Sequence, residues 1–364
     1  QYNVRGGSFD ENLVYVNDIQ VYRPFLVRAG QQEGLSFPNP DMVESIEFSA
    51  GGFEAKYGDK MSSVLDIKYR RPTDFAGSFS ASLLGGSFQL EDRSKNKVWS
   101  HNSGIRYRNN SYILGTLDTQ GDYNPNYTDV QTYITFDPDT TGPWSFNFLG
   151  NYARNKYNYV PMTRETDVGN INEALRLTVY FEGQEVTQFQ TFFGAFSTAY
   201  TTDVSRLQFI VSAFRPDESE TFDILGQYFL DELERDLGSD EFGEVLTNRG
   251  VGSFLEHARN DLDATVLNFS HKGFKDFDYA DHYLEWGVKV QQEIINDRLS
   301  EWTLIDSAGY NTPHPQDSIG YIDGDAQPDH QVILRDVIKS NEALSTTRIT
   351  GFVQDTHDWE NENG

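Results

Sequence analysis

Val130-Gln131-Thr132-Tyr133-Ile134-Thr135-Phe136, a polar stretch from Asp137 to Pro143, then Trp144-Ser145-Phe146-Asn147-Phe148-Leu149-Gly150-Asn151-Tyr152: these two runs decide how the chain is read. In an extended strand, successive side chains point to opposite faces. Val130, Thr132, Ile134 and Phe136 therefore share one face, and Gln131, Tyr133 and Thr135 the other. In the second run Trp144, Phe146, Phe148, Gly150 and Tyr152 face away from Ser145, Asn147, Leu149 and Asn151. The same alternation recurs outward in both directions. Phe79, Ala81 and Leu83 alternate with Ser78, Ser80 and Ser82, and Phe88 and Leu90 with Gln89 and Glu91. Leu284, Trp286, Val288 and Val290 alternate with Tyr283, Glu285, Gly287, Lys289 and Gln291. One face is apolar and aromatic; the other carries Ser, Asn, Gln, Glu and Lys. A soluble sandwich and a membrane barrel both produce such strands.

The connections separate the two. Asp137 to Pro143, Thr201 to Arg206 and Lys275 to Asp281 read as short polar turns. Tyr157 to Val186, Pro216 to Arg259 and Glu301 to Ser345 read as long loops. Short turns on one side and long loops on the other are the asymmetry of an up-and-down membrane barrel. A compact soluble domain seldom carries several loops of ~30 residues. The alternation predicts about ten strands, too few to close a large membrane barrel of ~22. The fold class is mainly β: a partial transmembrane antiparallel β-barrel. Within the second long connection, Asp223 as N-cap, then Ile224, Leu225, Tyr228, Phe229, Leu233 and Leu237, with a stop at Gly238, predict a helix.

Composition narrows the function. Hydrophobic residues make up 37% of the 364 residues, and no run of 18 or more apolar residues occurs, so no helical span is expected. The 26 Phe, 20 Tyr and 5 Trp would suit the interfacial girdles of a barrel. A net charge of −27 speaks against binding nucleic acid, whose affinity rests on Lys and Arg at the phosphates. With no cysteine, strand closure or core burial has to hold the fold. No H-x-x-x-H, H-E-x-x-H or G-x-S-x-G spacing is present, so the sequence gives no catalytic constellation and calls for no cofactor. Asp323-Gly324-Asp325 with Asp329 departs from the twelve-residue calcium loop, and no metal site is assigned there. Gln1 to Gly7 lacks a signal peptide and Trp359 to Gly364 stops in a polar turn, so both ends read as cut. An open barrel of this kind is expected not to insert stably on its own, because its two edges would be unpaired in lipid.

Residues 1–74 have a different texture, glycine-rich and mixed α/β. Leu13-Val14-Tyr15-Val16 predicts a strand, Asn17-Asp18 a turn, and Ile19-Gln20-Val21-Tyr22 a returning strand. Val43 to Ser49 and Ser62 to Tyr69 predict two more, and Pro72 ends the pattern. Val4-Arg5-Gly6-Gly7 precedes the first strand, and Gly51-Gly52 and Tyr57-Gly58 follow the third.

In this order, these stretches resemble the plug of TonB-dependent outer-membrane receptors. The matching residues are Arg5, Gly6, Gly7, Asp18, Glu47, Gly51, Gly52, Tyr57 and Gly58, with Val64 to Tyr69 and Arg70-Arg71-Pro72 similar to the family's final plug strand and junction. The version most similar to this one occurs in Bacteroidota. Gly77-Ser78-Phe79 and Phe352-Val353-Gln354-Asp355-Thr356 resemble barrel strands more loosely. Two departures stand out. Ser49-Ala50-Gly51-Gly52 replaces the family's Arg-Gly-Pro, removing one arginine that usually meets barrel acids, and Ile19 rather than Gly follows Asp18.

The resemblance implies the C-terminal part of an α/β plug domain over 1–74 and the N-terminal part of the transmembrane β-barrel over 75–364. It implies a receptor in the outer membrane of a Gram-negative bacterium, surrounded by outer-membrane lipid, that takes up a scarce nutrient substrate by active transport. TonB, with its inner-membrane energising complex, would be the partner, acting through segments outside this chain. Arg5 is expected either to pair with wall carboxylates or to be exposed. The loop Tyr22 to Phe37 is the expected substrate contact, through Arg23, Phe25, Arg28, Gln31, Gln32 and Glu33, packing against the wall being its other reading. Two functional alternatives stay open: a non-transporting outer-membrane sensor and a soluble extracellular β-rich binding protein.

Overall fold

The computed structural model describes residues 4–7, 11–22, 36–58, 61–114, 121–170, 173–277, 282–306 and 332–357. They form two sheets. The first has four strands: β1 (Asn12–Val16), β2 (Ile19–Gln20), β3 (Val43–Ser49) and β4 (Ser63–Tyr69), in the order β2-β1-β4-β3. Asn17 and Asp18 join β1 to β2 with φ of 51° and 68°. Two successive positive φ values are what a two-residue hairpin turn needs, and Asn and Asp tolerate them best after Gly. β4 lies between β1, which it pairs in parallel, and β3, which it pairs antiparallel. With neighbours on both sides and cover on both faces, most of its residues are buried, and its alternation does not sort inside from outside.

The second sheet has eleven strands. These are β5 (Ala76–Ser82), β6 (Gly85–Arg93), β7 (Trp99–Asn109), β8 (Gly121–Phe136), β9 (Trp144–Pro161), β10 (Arg164–Asn170), β11 (Glu173–Thr201), β12 (Ser205–Leu233), β13 (Val245–Phe277), β14 (His282–Asp306) and β15 (Val332–His357). Each pairs antiparallel with its sequence neighbour, except that β11 pairs both β9 and β12 along its length while β10 adds to its upper end. Connections 94–98, 137–143 and 202–204 all fall at one end of this wall.

The two faces of the wall are inverted relative to a soluble protein. On β8, Gln131 and Thr135 are buried while Val130 on the opposite face is 43% exposed. On β9, Asn147 and Asn151 are buried, whereas Trp144 and Phe148 are 47% and 41% exposed. Phe192 and Phe196 on β11, Phe209 and Val211 on β12, and Leu267 and Phe269 on β13 extend the outward apolar face. A sandwich with a dry core would show the reverse; a barrel wall in lipid, filled with polar protein, shows this. Near the short turns the outward rings form a ladder. Trp99 stacks on Phe136 at 4.2 Å, Phe136 lies 5.9 Å from Phe146, and Trp144 lies 5.0 Å from Tyr200. Such a belt marks one membrane interface. Arg154 bonded to Gln188, and Arg215 bonded to Asp263, stand on the outward face at the other limit. From Trp144 to Tyr152 the band covers eight residue steps. That is ~27 Å along the strand, or about 21 Å along the membrane normal at a ~40° tilt.

Two expectations are corrected. The helix from Asp223 to Gly238 does not form: β12 continues as strand to Leu233. Its apolar residues instead pair across strands, with Phe229 5.8 Å from Tyr180 on β11. Ladders to β11 and β13 satisfy the backbone on both sides throughout this stretch, and a local helix would forfeit them. The long loops Tyr157 to Val186 and Pro216 to Arg259 are mostly strand as well, since β11, β12 and β13, 29, 29 and 33 residues long, continue past the apolar band. Beyond the apolar band apolar and polar residues mix on both faces, with Ile224 buried and Phe229 exposed on the same strand, so the hydrophobic period weakens while strand pairing continues. Of Glu301 to Ser345, β14 and β15 cover both ends, and 307–331, with Asp323, Gly324, Asp325 and Asp329, lie outside the described residues.

Candidate functional site

The four-stranded sheet sits against the polar inner face of the wall, and one core joins them. Val14, Val16, Ile19, Met42, Ile67 and Tyr69 pack with Tyr133, Leu149, Phe193, Ala195, Ile210 and Phe214 of the wall. Around this patch the contact is polar and falls into two zones.

The first zone spans β6 to β9. Arg106 and Asp129, on neighbouring strands, are 7% and 4% exposed in their side chains and form a two-point ion pair, Nε to Oδ1 at 2.7 Å and Nη2 to Oδ2 at 2.8 Å. The fork geometry of arginine leaves donors to spare. They go to backbone carbonyls of the inner sheet: Nη2 to Ser36 at 2.8 Å and Nη1 to Pro38 at 3.0 Å. Gln131 donates to Phe37 O and to Asp129, and accepts at 2.6 Å from the Tyr69 hydroxyl, which itself accepts from the Asn39 amide. Asn39 caps the turn Pro40–Met42 through Oδ1 to the Asp41 amide, with proline at the first helical position. Gly104 on β7 makes room for it, since a Cβ there would lie 2.5 Å from Asn39 Nδ2. Asn102 reaches Met42 O at 3.3 Å, Arg70 pairs with Glu91 at 2.9 Å, Arg71 donates to Asn147 at 2.6 Å, and Ser87 donates to Asp41 at 2.9 Å.

The second zone spans β12 to β14. Tyr22 donates to Asn268 or Gln291, each at 2.9 Å, and accepts from Lys289 at 3.2 Å. Asp18, at the β1–β2 turn, pairs with Lys68 at 2.9 Å. Burial alone would raise the Asp18 carboxyl, but Lys68 and the wall's Lys272 hold it down to about 2. Asp66 accepts from Tyr57 at 2.7 Å and lies 3.3 Å from Lys68. Burial beside Asp66 pushes the Tyr57 hydroxyl well above its ordinary range.

Residues 1–63 match the family model described as TonB-dependent Receptor Plug Domain. Three of the four strands of the small sheet lie within the matched residues, so this sheet is similar to the plug domain of TonB-dependent receptors and is called the plug. No curated protein matches the chain in sequence. Among solved structures, the ferric yersiniabactin uptake receptor FyuA from Yersinia pestis aligns with 95% of this chain and 53% of its own, at 9% identity and a TM-score of 0.36. The siderophore receptor PirA from Pseudomonas aeruginosa aligns with 83% of this chain and 76% of its own, at 11% identity and a TM-score of 0.30. The chain thus spans about half the length of the first of these.

The plug residues singled out in the sequence have diverse surroundings. Arg5 and Gly6 have φ of 50° and 78° and build the turn closed by Gly7 N to Val4 O. Gly7 is a close approach, since a Cβ there would lie 1.8 Å from Ser62 Oγ. The Arg5 guanidinium lies against Gly51, within the plug: a Cβ on Gly51 would be 2.8 Å from its Nη1. Gly51 and Gly52 have φ of 85° and 67°, the left-handed region that glycine enters without strain. Tyr57 and Asp18 join the charged cluster above, Gly58 ends the short turn Ala55–Tyr57, and Glu47 is exposed on β3. Arg23, Phe25, Arg28, Gln31, Gln32 and Glu33 lie outside the described residues. Arg106, Asp129, Gln131 and Asn102 were not singled out in the sequence. Their only signal there is a polar residue on the face opposite an apolar one.

Proposed function

We propose that this protein is a TonB-dependent active-transport receptor of the Gram-negative outer membrane. The observation that carries this reading is a plug domain held on the inside of a lipid-facing wall by one apolar patch ringed with polar contacts. Hydrogen bonds between polar groups can exchange for bonds to water when the plug shifts, so such an interface moves at lower cost than a dry core. In this reading the wall begins with β5, substrate is captured from outside between the plug loop Tyr22 to Phe37 and the upper hairpins, and TonB pulls the plug from the periplasm to open a way through. Arg23, Phe25, Arg28, Gln31, Gln32 and Glu33 are the proposed contacts. Iron chelates, cobalamin, oligosaccharides and peptides are all admissible substrates, because specificity lives in the site and not in the fold.

The test is uptake in cells that carry the receptor, with and without TonB, against a panel of those four classes. One class should be taken up only when both proteins are present, and Arg28→Ala with Glu33→Ala should weaken its binding at least tenfold. Equal uptake of every class without TonB would exclude active transport. Unchanged binding in the double variant would exclude the loop.

A further inference from the structure

We propose that solute crosses this receptor along the β12–β15 side of the plug, through a donor-rich gap suited to cargo rich in oxygen acceptors, and not along β6–β9. The inference rests on the transport reading above and adds the place and the chemistry of the passage.

The two zones of contact differ. Against β6–β9 the plug is bound through backbone and side chains together: Arg106 holds the carbonyls of Ser36 and Pro38, Gln131 that of Phe37, and Asn102 those of Met42 and Arg70, beside the side-chain contacts of Asp41, Tyr69, Arg70 and Arg71. Backbone contacts of this kind clamp a chain without slack from side-chain rotation. Against β12–β15 the wall's side chains meet mostly side-chain ends: Tyr22 on Asn268 and Gln291, and Lys289 on Gln20. Between them lies a cavity of about 330 Å³, room for roughly ten waters and at the lower end of ligand-pocket size. Small residues on the inner face of the wall, Ser212 and Ser270, leave this space open.

The lining is biased toward donors. Lys56, Lys272, Lys289 and Arg348 border the cavity with one carboxylate, Asp18. That carboxylate is already engaged by Lys68. Lys272 is half-buried and lines the cavity beside Asp18; among the described residues it makes no ion pair within 4 Å and no hydrogen bond, and its ammonium lies 5.3 Å from the Tyr15 ring. A half-buried ammonium facing open space is a ready partner for a carboxylate, hydroxamate or sugar oxygen.

These 364 residues contain no cysteine, so within them a single introduced thiol reports on one place. Ser270→Cys would be placed in the cavity wall. Asn102→Cys, with the conservative Ser100→Cys beside it, would be placed on β7. Each goes into the full receptor in living cells. Cells are exposed to two methanethiosulfonates of similar size, one carrying a sulfonate and one a quaternary ammonium, with and without an uncoupler. The proposal expects Ser270→Cys to react at least tenfold faster in energised cells than in uncoupled ones. It expects the sulfonate reagent to be favoured at least fivefold relative to free cysteine, with both β7 thiols unreactive throughout. Reaction of β7 thiols as fast as at Ser270→Cys would mean the plug leaves as a unit; that overturns the sided passage and leaves the transport reading standing. Preference for the ammonium reagent would overturn the assigned chemistry. If the uncoupler changes nothing at any position, the plug does not move, and the transport reading falls together with this inference.

Discussion

Removing the Arg106 side chain tests how the plug is held. In Arg106→Met the wall loses both bonds to Asp129 and the bonds to Ser36 and Pro38 carbonyls. Asp129 is then a buried carboxylate supported by Gln131 at 2.7 Å and Asn151 at 3.3 Å. Breaking a buried pair from one side costs ~3–5 kcal/mol, because the remaining charge stays out of water. At 1.36 kcal/mol per tenfold, the docked plug should open roughly two to nearly four decades more often. Hydrogen exchange of the plug amides Met42 and Arg70, which bond to Asn39 O and Met42 O, reads that opening directly in detergent micelles. Arg106→Met with Asp129→Leu removes the stranded charge, so exchange should return most of the way to that of the unsubstituted protein. Less than a threefold change in the single variant would refute the reasoning. So would a double variant no better protected than the single one.

Other outcomes follow from the same geometry. Because Asp18 is held down to about 2 in the folded state, its contribution to docking is present above the ordinary carboxylate value and is lost as pH falls from about 4 through 2; Asp18→Asn should abolish this acid sensitivity in a plug-release titration. Val211→Arg places a charge on the lipid face and should cost ~2–4 kcal/mol of assembly near mid-band, seen as loss of the heat-modifiable folded form on gels. Asn17→Val forces a β-branched residue to a φ of 51° and should destabilise the plug by about 1–3 kcal/mol, measured by urea titration of plug protection. Gly7→Ala should also loosen the plug, since its Cβ meets Ser62 Oγ, and Ser62→Gly should restore part of the loss in the same titration.

The fold was legible where local chemistry and tertiary setting agreed. Asn17-Asp18 marks a tight hairpin because both residues accept positive φ; the apolar run before it falls in β1, while the returning strand expected over 19–22 is β2 at Ile19–Gln20. Residues 130–152 betray two faces because lipid and polar interior impose opposite demands on one strand. The reading failed where one demand vanished. Beyond the apolar band the faces of β11 to β13 mix apolar and polar residues, the period fades, and chance helical spacing at 224–237 reads as a helix. The clamp on the plug was hidden for another reason. Arg106 and Asp129 are 23 residues apart, and the carbonyls that Arg106 binds carry no side-chain signature. Arg5 was legible as a charged residue in a glycine turn, but the sequence could not show that its guanidinium lies against Gly51.

The central claim is that the apolar face of the wall meets lipid while the polar face meets the plug. Nitroxide labels placed singly at 144 to 154 on β9, in bilayers, measure it position by position through collision with oxygen and with a water-soluble nickel complex. The account predicts a period of two: Trp144, Phe146, Phe148, Gly150 and Tyr152 open to oxygen and closed to nickel, the odd positions shielded from both, and nickel access returning at Arg154. Equal nickel access along both faces, or oxygen access at the odd positions, would contradict it.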